Sequence, residues 1–545
     1  MQMIGVRVIL CNFVAIIIHC NDRIEMSNTD DTIILMFMKF YKVAKYNLAL
    51  AFTVFSITGK AEDVLHYEAS AFAGTGSGKF APYYISSLEH GRFTQADNVR
   101  LEASFWKDVD YEKRFSYGFG ADVIGGYASS VAYERYSAET ESWFSHKESP
   151  SSVWLQQLYG ELKFRGVFAQ LGLKEQNSAL LNQRLSSGDL IESGNTRPML
   201  QARAGFWDFQ NIPFTNGWLQ ISGEGAFGYM ADDGWWKNHY NYYGNHITTH
   251  QLYNYKRVYF RTKPSKPFSV IFGMQAAAVF GGTTKWYYNG ELTRTQSHPK
   301  SLKYFVKMLF PMEDGGEGFY SGNHLGSWDI RGRYRLKNGD ELFAYTSWLW
   351  DDGSGIGKLN GFDGLWGIEY KASRPGYISG VVAEYFDFTN QSGPIHFNPG
   401  DYDGCTLPGH VSGADDYYNN ASYNAYAYFG MALGTPVMMS PIYNLDGNPN
   451  FVANAVRGFH IGLEGNITPS LDYRVKGGYR KAWGTPFNML PRPIHLTSVM
   501  LEAGWHPATV NGLTINAKVE LDRGNMPENA FGILVGVRYD GLFNF

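Results

Sequence analysis

The chain reads as all-β: a transmembrane antiparallel β-barrel of about 18 strands behind a secretory leader. Three observations carry that reading. Apolar and polar residues alternate over segments that exceed the ~5–6 residues of soluble strands and match the ~9–11 of spanning strands. After Ala61 no stretch is long and apolar enough for a spanning helix, and in lipid only helices and closed barrels satisfy their own backbone. The last segment alternates up to a terminal aromatic, Phe545.

Composition agrees. The 545 residues include 61 glycines, 37 tyrosines, 37 phenylalanines and 14 tryptophans, a mix that suits tight turns and aromatic girdles at the two membrane interfaces. The net charge of −4 lacks the basic excess of nucleic-acid binders. Of the three cysteines, Cys11 and Cys20 fall in the leader and Cys405 stands alone, so no disulfide framework can form. Cys405 has no histidine context and reads as an incidental loop residue.

Residues 1–61 are the leader. The first apolar stretch, 4–18, is followed by Cys20, but Ile18 and His19 do not suit a lipoprotein cleavage site. The second stretch has the layout of a signal peptide: Lys39, Lys42 and Lys45, then an apolar core from Leu48 to Ile57, then small residues at Gly59 and Ala61. Translation is expected to begin at Met38, with 1–37 an upstream extension and 38–61 the signal peptide. Neither stretch reaches the ~20 residues of a spanning helix. Residues 62–545 form the barrel.

Strands are expected near 64–72, 98–106, 114–126, 155–164, 167–175, 217–230, 253–262, 267–281, 325–336, 341–350, 364–372, 377–389, 422–434, 455–467, 470–482, 497–506, 511–523 and 530–539. The clearest alternate fully. Trp328, Ile330 and Tyr334 oppose Asp329, Arg331, Arg333 and Arg335; Leu513, Ile515, Ala517, Val519 and Leu521 oppose Thr514, Asn516, Lys518, Glu520 and Asp522. The polar faces carry both signs of charge, as a wet or plugged lumen would. Tight turns at Arg165–Gly166, 337–340, 373–376, Thr468–Pro469 and 507–510 alternate with long connections, the barrel habit of short turns at one end. The alternation breaks around 231–252 and 435–454, where a strand is hidden or a segment enters the lumen. At the C-terminus Ile533, Val535, Val537, Tyr539 and Phe543 recur on one face, like the signal that the barrel-insertion machinery reads.

Catalytic patterns are missing. There is no G-x-S-x-G and no H-E-x-x-H. Gly74–Lys79 looks like a phosphate loop, but Ala73 and Phe80 occupy positions that motif needs for Gly and Ser/Thr. His246 and His250, with His239 nearby, could ligate a metal on a helix, yet the tyrosine- and asparagine-rich text around them reads as loop. Asp351–Asp352 and Asp415–Asp416 could serve acid/base chemistry or calcium; in glycine-rich loops such pairs are more often solvated. No enzyme, cofactor or metal is expected.

What remains is aromatic and polar loop text. Trp235, Trp236, Tyr240, Tyr242 and Tyr243 form one cluster; Trp348, Trp350, Asp351 and Asp352 a second; Tyr417, Tyr418, Asn419 and Asn420 a third. Sugar rings stack on aromatic faces while carboxylates and amides take their hydroxyls. The alternative for Trp348 and Trp350 is an interfacial girdle. The row Arg331, Arg333 and Arg335 could attract acidic glycans, or anchor a plug through salt bridges.

The stretch from Leu171-Gly172-Leu173-Lys174-Glu175, through LSSGDLIESGNTRP at 185–198 and NIPFTNGWLQI at 211–221, to Ala226-Phe227-Gly228-Tyr229, together with GKFAPYY at 78–84, resembles the Wzi family of capsule assembly proteins. Thr196 and Leu200 depart from the family pattern. The resemblance implies an 18-stranded outer-membrane barrel of a Gram-negative cell, its lumen obstructed by inward loops. It also implies a lectin-like role, attaching exported capsular polysaccharide to the surface, with surface polysaccharide and outer-membrane lipid as partners. The family-marked positions are Ser186, Ser187, Gly188, Ser193, Asn195, Arg197 and Pro198, where the glycine and proline suggest a folded-in loop. A porin or substrate channel is the alternative; segments 176–216 and 231–252 filling the pore would argue against it.

Overall fold

The computed structural model describes residues 64–310, 322–351, 353–358, 360–391 and 415–544; the leader, Asp352, Cys405 and Phe545 lie outside them. The compact body is His66–Gly541. Its wall begins with β1 (Val64–Gly76), β2 (Asn98–Lys107), β3 (Phe115–Ala128), β4 (Val153–Phe164), β5 (Val167–Leu173) and β6 (Leu200–Phe206). It continues with β7 (Leu219–Tyr229), β8 (Leu252–Thr262), β9 (Phe268–Phe280), β10 (Asn323–Arg335), β11 (Glu341–Trp350) and β12 (Gly364–Lys371). It ends with β13 (Gly380–Asp387), β14 (Val456–Thr468), β15 (Leu471–Gly484), β16 (Met489–Trp505), β17 (Leu513–Gly524) and β18 (Ala530–Asn544). Each strand pairs antiparallel with the next, onward through the second half. β18 returns to β1, so the 18-strand ring is closed and no edge is left to be satisfied in lipid.

Seventeen of the expected strands coincide with wall strands, and one does not. Residues 422–434 lie inside the barrel, where Ala427–Tyr428 pairs only with Met431–Ala432. Their apolar text comes from burial on all sides, which sequence alternation cannot distinguish from a wall strand. The missing strand is β6, extended past an interruption by Gln210–Asn211, which pairs with β7 as well. It is seven residues long and small-residue-rich, and its period is too short to stand out. The total of 18 agrees because one error replaced the other.

Adjacent residues show the two faces of the wall. Leu101, Ile368, Leu501 and Val535 are exposed on the outside, where lipid would cover them, whereas Arg100, Glu369, Glu502 and Leu534 are buried inside. Eight connections at one end are short or moderate, such as 165–166, 336–340 and 469–470. At the other end lie the long segments 77–97, 129–152, 174–199, 230–251, 281–322 and 388–455.

Several long segments turn into the barrel and fill it. Leu185, Ile191, Tyr417, Tyr426 and Met438 have essentially no exposed surface. The first segment to do so contains α1 (Tyr83–Ser86). Inward carboxylates of the wall accept its backbone N–H groups: Glu520 takes Tyr84 N at 2.7 Å and Ile85 N at 2.8 Å, and Asp522 takes Tyr83 N at 2.9 Å. Arg92 from the same segment pairs with Glu102 at 2.7 Å and Glu175 at 2.5 Å. The second segment, 174–199, is tied by Ser187 N to Glu384 (2.6 Å), by Gln275 to Asp189 (2.7 Å) and by Asn182 to Glu369 (3.1 Å). The third, 415–455, receives Arg480, whose Nη1 donates to the carbonyls of Pro436 and Val437 at 2.8 and 3.2 Å. A buried charge is tolerable only when paired and fully hydrogen-bonded, so wall and plug depend on each other.

Removing one anchor isolates this dependence. Glu520→Ala strips two hydrogen bonds, each worth roughly 0.5–1.5 kcal/mol, and leaves two buried N–H groups unpaired. Amide exchange at Tyr84 and Ile85 is expected to accelerate by at least ~10-fold, while the β-strand amides of β17 stay protected; unchanged exchange at Tyr84 would refute the anchoring role.

Candidate functional site

At the end of the barrel that carries the long segments lies a cavity of about 670 Å³. Three kinds of element build its lining. Strand ends supply Asn323 and His324 from β10 and Asp351 just past β11; the turn between β15 and β16 supplies Phe487 and Asn488. The 230–251 segment and the 283–297 hairpin supply Asn245, His246 and Trp286. The plug supplies Asp415, Asp416, Asn419, Asn420 and Asn450.

Most polar groups here are held by the fold. The Asn419 amide spans Phe451, donating to its carbonyl at 2.9 Å and accepting its N–H at 2.8 Å, and also donates to Asp416 at 3.1 Å. Asn454 donates to the same Asp416 oxygen at 2.5 Å. Asn420 accepts the N–H groups of Ser422 and Tyr423 at 2.8 and 3.2 Å, an Asx turn. His246 contacts the Tyr423 carbonyl through Nε2 at 3.0 Å. Asn323 lines the cavity, is 5% exposed, and its buried Nδ2 has no partner among the described residues. Two rings border these groups: Trp286, with Arg294 stacked 4.6 Å from its centre, and Phe487, 61% exposed.

Burial shifts the titratable groups. It lowers His246 below its usual value, so the imidazole is neutral at pH 7. It raises Asp416, against the opposing hydrogen bonds from Asn454 and Asn419. The lining can therefore offer amide and imidazole donors, carboxylate acceptors and two aromatic faces. Among the described residues no group of three or more His, Cys, Asp or Glu is placed to hold a metal ion.

The structure brings together some of the sequence candidates and separates others. Asp351, Asp415, Asp416, Asn419 and Asn420 converge on the cavity; Asp352 is outside the described residues. Trp235, Trp236, Tyr240 and Tyr242 do not line it. Trp236 is buried in α2 (Asp233–His239), with its indole N–H on Asp232 at 3.0 Å. Trp235 stacks on His239 at 4.1 Å, and Tyr242 donates to the Lys237 carbonyl at 3.0 Å. Tyr240 is 1% exposed. These rings pack the outer part of the plug. His239, His246 and His250 have separate partners: Trp235, Tyr423 and Asp233.

The arginine row is also elsewhere. β10 starts at the cavity and ends ~40 Å along the strand at ~3.4 Å per residue, with Arg335 at the short-turn end. Arg331 binds Glu369 at 2.7 Å and the Leu180 carbonyl; Arg333 binds the Pro264 carbonyl at 2.5 Å; Arg335 binds Glu341 at 3.1 Å. The row anchors plug and turn. Trp348 pairs with Trp328 on the outward face, as an interfacial residue would. Gly74–Lys79 is the end of β1 and its exit.

The family-marked positions form the plug's central knot. Ser186 N donates to the Asn182 carbonyl at 2.9 Å. Ser193 donates to the Gly434 carbonyl at 2.7 Å, and Asn195 accepts Leu88 N and donates to the Ala432 carbonyl, both at 3.1 Å. Arg197 lies over the rings of Trp154 and Phe429 at 4.2 and 4.8 Å, ahead of Pro198. These bonds join the segments around 88, 190 and 433. Trp286, Asn323, His324, Phe487 and Asn488 were missed by sequence reasoning: five residues scattered over three elements carry no shared spacing.

Gly188 tests the knot. Its φ is +106°, and a methyl there would stand 2.8 Å from Pro436 Cδ and 3.0 Å from Leu88 Cδ2. Gly188→Ala is expected to cost ~1–3 kcal/mol, seen as a lower temperature for the heat-induced gel-mobility shift of the folded barrel.

No protein-family model matches the chain, and no curated protein matches it in sequence. Among solved structures, Wzi of Escherichia coli is an outer-membrane protein involved in group 1 capsule assembly and a carbohydrate-binding β-barrel. It aligns over 92% of this chain and 88% of its own, with a TM-score of 0.52 and 13% identity. Pseudomonas aeruginosa OccK3 (OpdO) covers 88% of this chain and 96% of its own at a TM-score of 0.43 and 11% identity, too loose a likeness to argue from. At such identities the similarity to Wzi is one of fold: the chain is a closed 18-strand antiparallel β-barrel of the architecture seen in Wzi.

Proposed function

We propose that this protein is a non-enzymatic, lectin-like barrel that attaches exported capsular polysaccharide to the surface of a Gram-negative cell. The observation that carries the reading is the polar, aromatic-bordered cavity at the long-segment end of a barrel whose lumen is packed. Asn419 and Asp416, held by their own hydrogen bonds, keep amide and carboxylate groups in place for sugar hydroxyls, and Asn323 contributes its unpaired amide. Trp286 and Phe487 offer flat apolar faces for pyranose rings. A site fixed in advance loses little side-chain entropy on binding, and a long polymer engaging many copies of the protein multiplies a modest single-site affinity. The likeness to a carbohydrate-binding barrel is consistent with this reading.

In this reading residues 38–61 direct export and are cleaved, 62–545 form the barrel, and the alternating last strand presents the chain to the insertion machinery. Trp235, Trp236, Tyr240 and Tyr242 pack the outer part of the plug and brace the cavity without touching the glycan. Arg331, Arg333 and Arg335 hold the plug and turns. Diffusion through the lumen is the weaker reading, because segments 77–97, 174–199 and 415–455 occupy the space a solute would need.

Polysaccharide purified from the cells that carry the gene is the probe. Trp286→Ala and Asn323→Ala together are expected to weaken its binding to the detergent-solubilised protein about 10-fold or more, the effect of removing one ring contact and one hydrogen bond. In cells the same pair should move polysaccharide into the medium while total synthesis holds. Retention that is unchanged when the gene is deleted would overturn the proposal.

A further inference from the structure

One helix lies on the outside of the wall. α3 (Leu302–Leu309) belongs to the segment between β9 and β10. The register gives the face it covers. Glu224 of β7 binds Arg203 and Arg257 on the inside, so Phe227 of β7 and Leu252, Asn254, Lys256 and Val258 of β8 point outward. By pairing with β8, Phe272, Ala278 and Phe280 of β9 point outward as well. α3 packs on this outward surface: Phe305 meets Phe227 at 5.0 Å and Phe280 at 5.1 Å, and Met308 joins Leu252, Ala278 and Phe280 in one buried cluster.

The opposite side of α3 is apolar as well. Leu302 is 75% exposed, Val306 48% and the following Phe310 67%. The charges of the helix are confined to one flank, where Lys303 is exposed and Lys307 follows it four residues on; Leu302, Val306 and Phe310 thus form an exposed apolar strip beside a cationic one, the division of a helix that lies at a membrane interface with its lysines toward the headgroups. Just below it on the same wall, Val258 and Phe272 are exposed apolar residues of the lipid-facing band, so the exposed side of α3 continues that band.

The polar groups under the helix fit the same surrounding. Lys256 is an outward lysine in a wall strand, a position that lipid penalises. Its Nζ donates to the Met308 carbonyl at 2.6 Å and to Asn254 at 3.1 Å, and Asn254 donates to the Ala226 carbonyl at 2.9 Å. Met308 carries one of the last carbonyls of α3, which have no partner within the helix, and a cation at a helix C-terminus is favoured. The lysine and the helix end satisfy each other with no water needed.

We propose that α3 is seated in the membrane, with Leu302, Val306 and Phe310 among the acyl chains, and that Lys256 fastens it to the barrel. The helix lies in the same connection as Trp286 and immediately precedes, through 311–321, the β10 end that carries Asn323.

The test uses the full protein with Cys11, Cys20 and Cys405 replaced by serine, reconstituted in phosphatidylcholine vesicles. A nitroxide on Val306→Cys is compared with one on Ile368→Cys, on the lipid face of β12, and one on Ser145→Cys, in the exposed hairpin 131–148. The Val306 label is expected to collide with dissolved oxygen in preference to a water-soluble nickel chelate, as the Ile368 label does. A label that behaves like that on Ser145, or that is shielded from both relaxants as under a protein partner, overturns the proposal. In the same background Lys256→Met should raise the mobility of the Val306 label; unchanged mobility would refute the fastening role.

Discussion

Everything in this molecule depends on one pairing: an inward carboxylate of the wall accepting the backbone N–H groups of a segment folded into the lumen. Glu520 with Tyr84 and Ile85, Asp522 with Tyr83, and Glu384 with Ser187 are its instances. A closed barrel satisfies its own backbone, but its inner face carries charges that a packed interior would leave stranded. A segment folded into the lumen has the opposite deficiency, donors with no acceptors, among them the free N–H groups at the start of α1. Putting one inside the other resolves both. The consequence is a filled barrel whose plug cannot leave without exposing buried charge, and whose outer end can be shaped into a fixed cavity.

That arrangement divides the long connections by task. Those around 88, 190 and 433 make the floor, joined by Ser193 and Asn195. Those around 245, 286 and 420 make the cavity, using asparagine amides braced by backbone contacts, as Asn419 is by Phe451. The 281–322 connection reaches both ways, with Trp286 at the cavity and Phe305 and Met308 against the outside of the wall. Recognition by such a surface is a matter of placement: neutral His246, the amides and two rings present hydrogen-bond and stacking groups without a nucleophile or metal being required.

The wall was legible in the sequence because two-sided strands impose a period of two, as in the run from Leu513 to Asp522. The plug was not, for a physical reason. Residues 422–434 are apolar because they are surrounded, and a surrounded segment has no face to alternate against; read as a strand, it concealed the absence of β6, whose alternation of Leu200, Ala202, Ala204 and Phe206 with Gln201 and Arg203 is only seven residues long. Candidate site residues were legible where acids and amides cluster, at Asp415–Asp416 and Asn419–Asn420. The aromatic cluster was legible as a group but not its burial, since Trp236 and Tyr240 are core, and for the arginine row the two readings, attracting a ligand or holding a plug, look the same in sequence because both place charge on an inner wall. Asn323 and Phe487 are brought to the cavity by barrel closure alone.

The central claim is that the barrel is closed to solutes by its own interior. Ion conductance of the purified protein in planar lipid bilayers tests it most directly. A packed lumen held by wall carboxylates gives insertion without stable conductance steps. Regular steps of the size expected of an open 18-strand pore would contradict the account, since no such current can pass while the Glu520, Asp522 and Glu384 anchors are engaged.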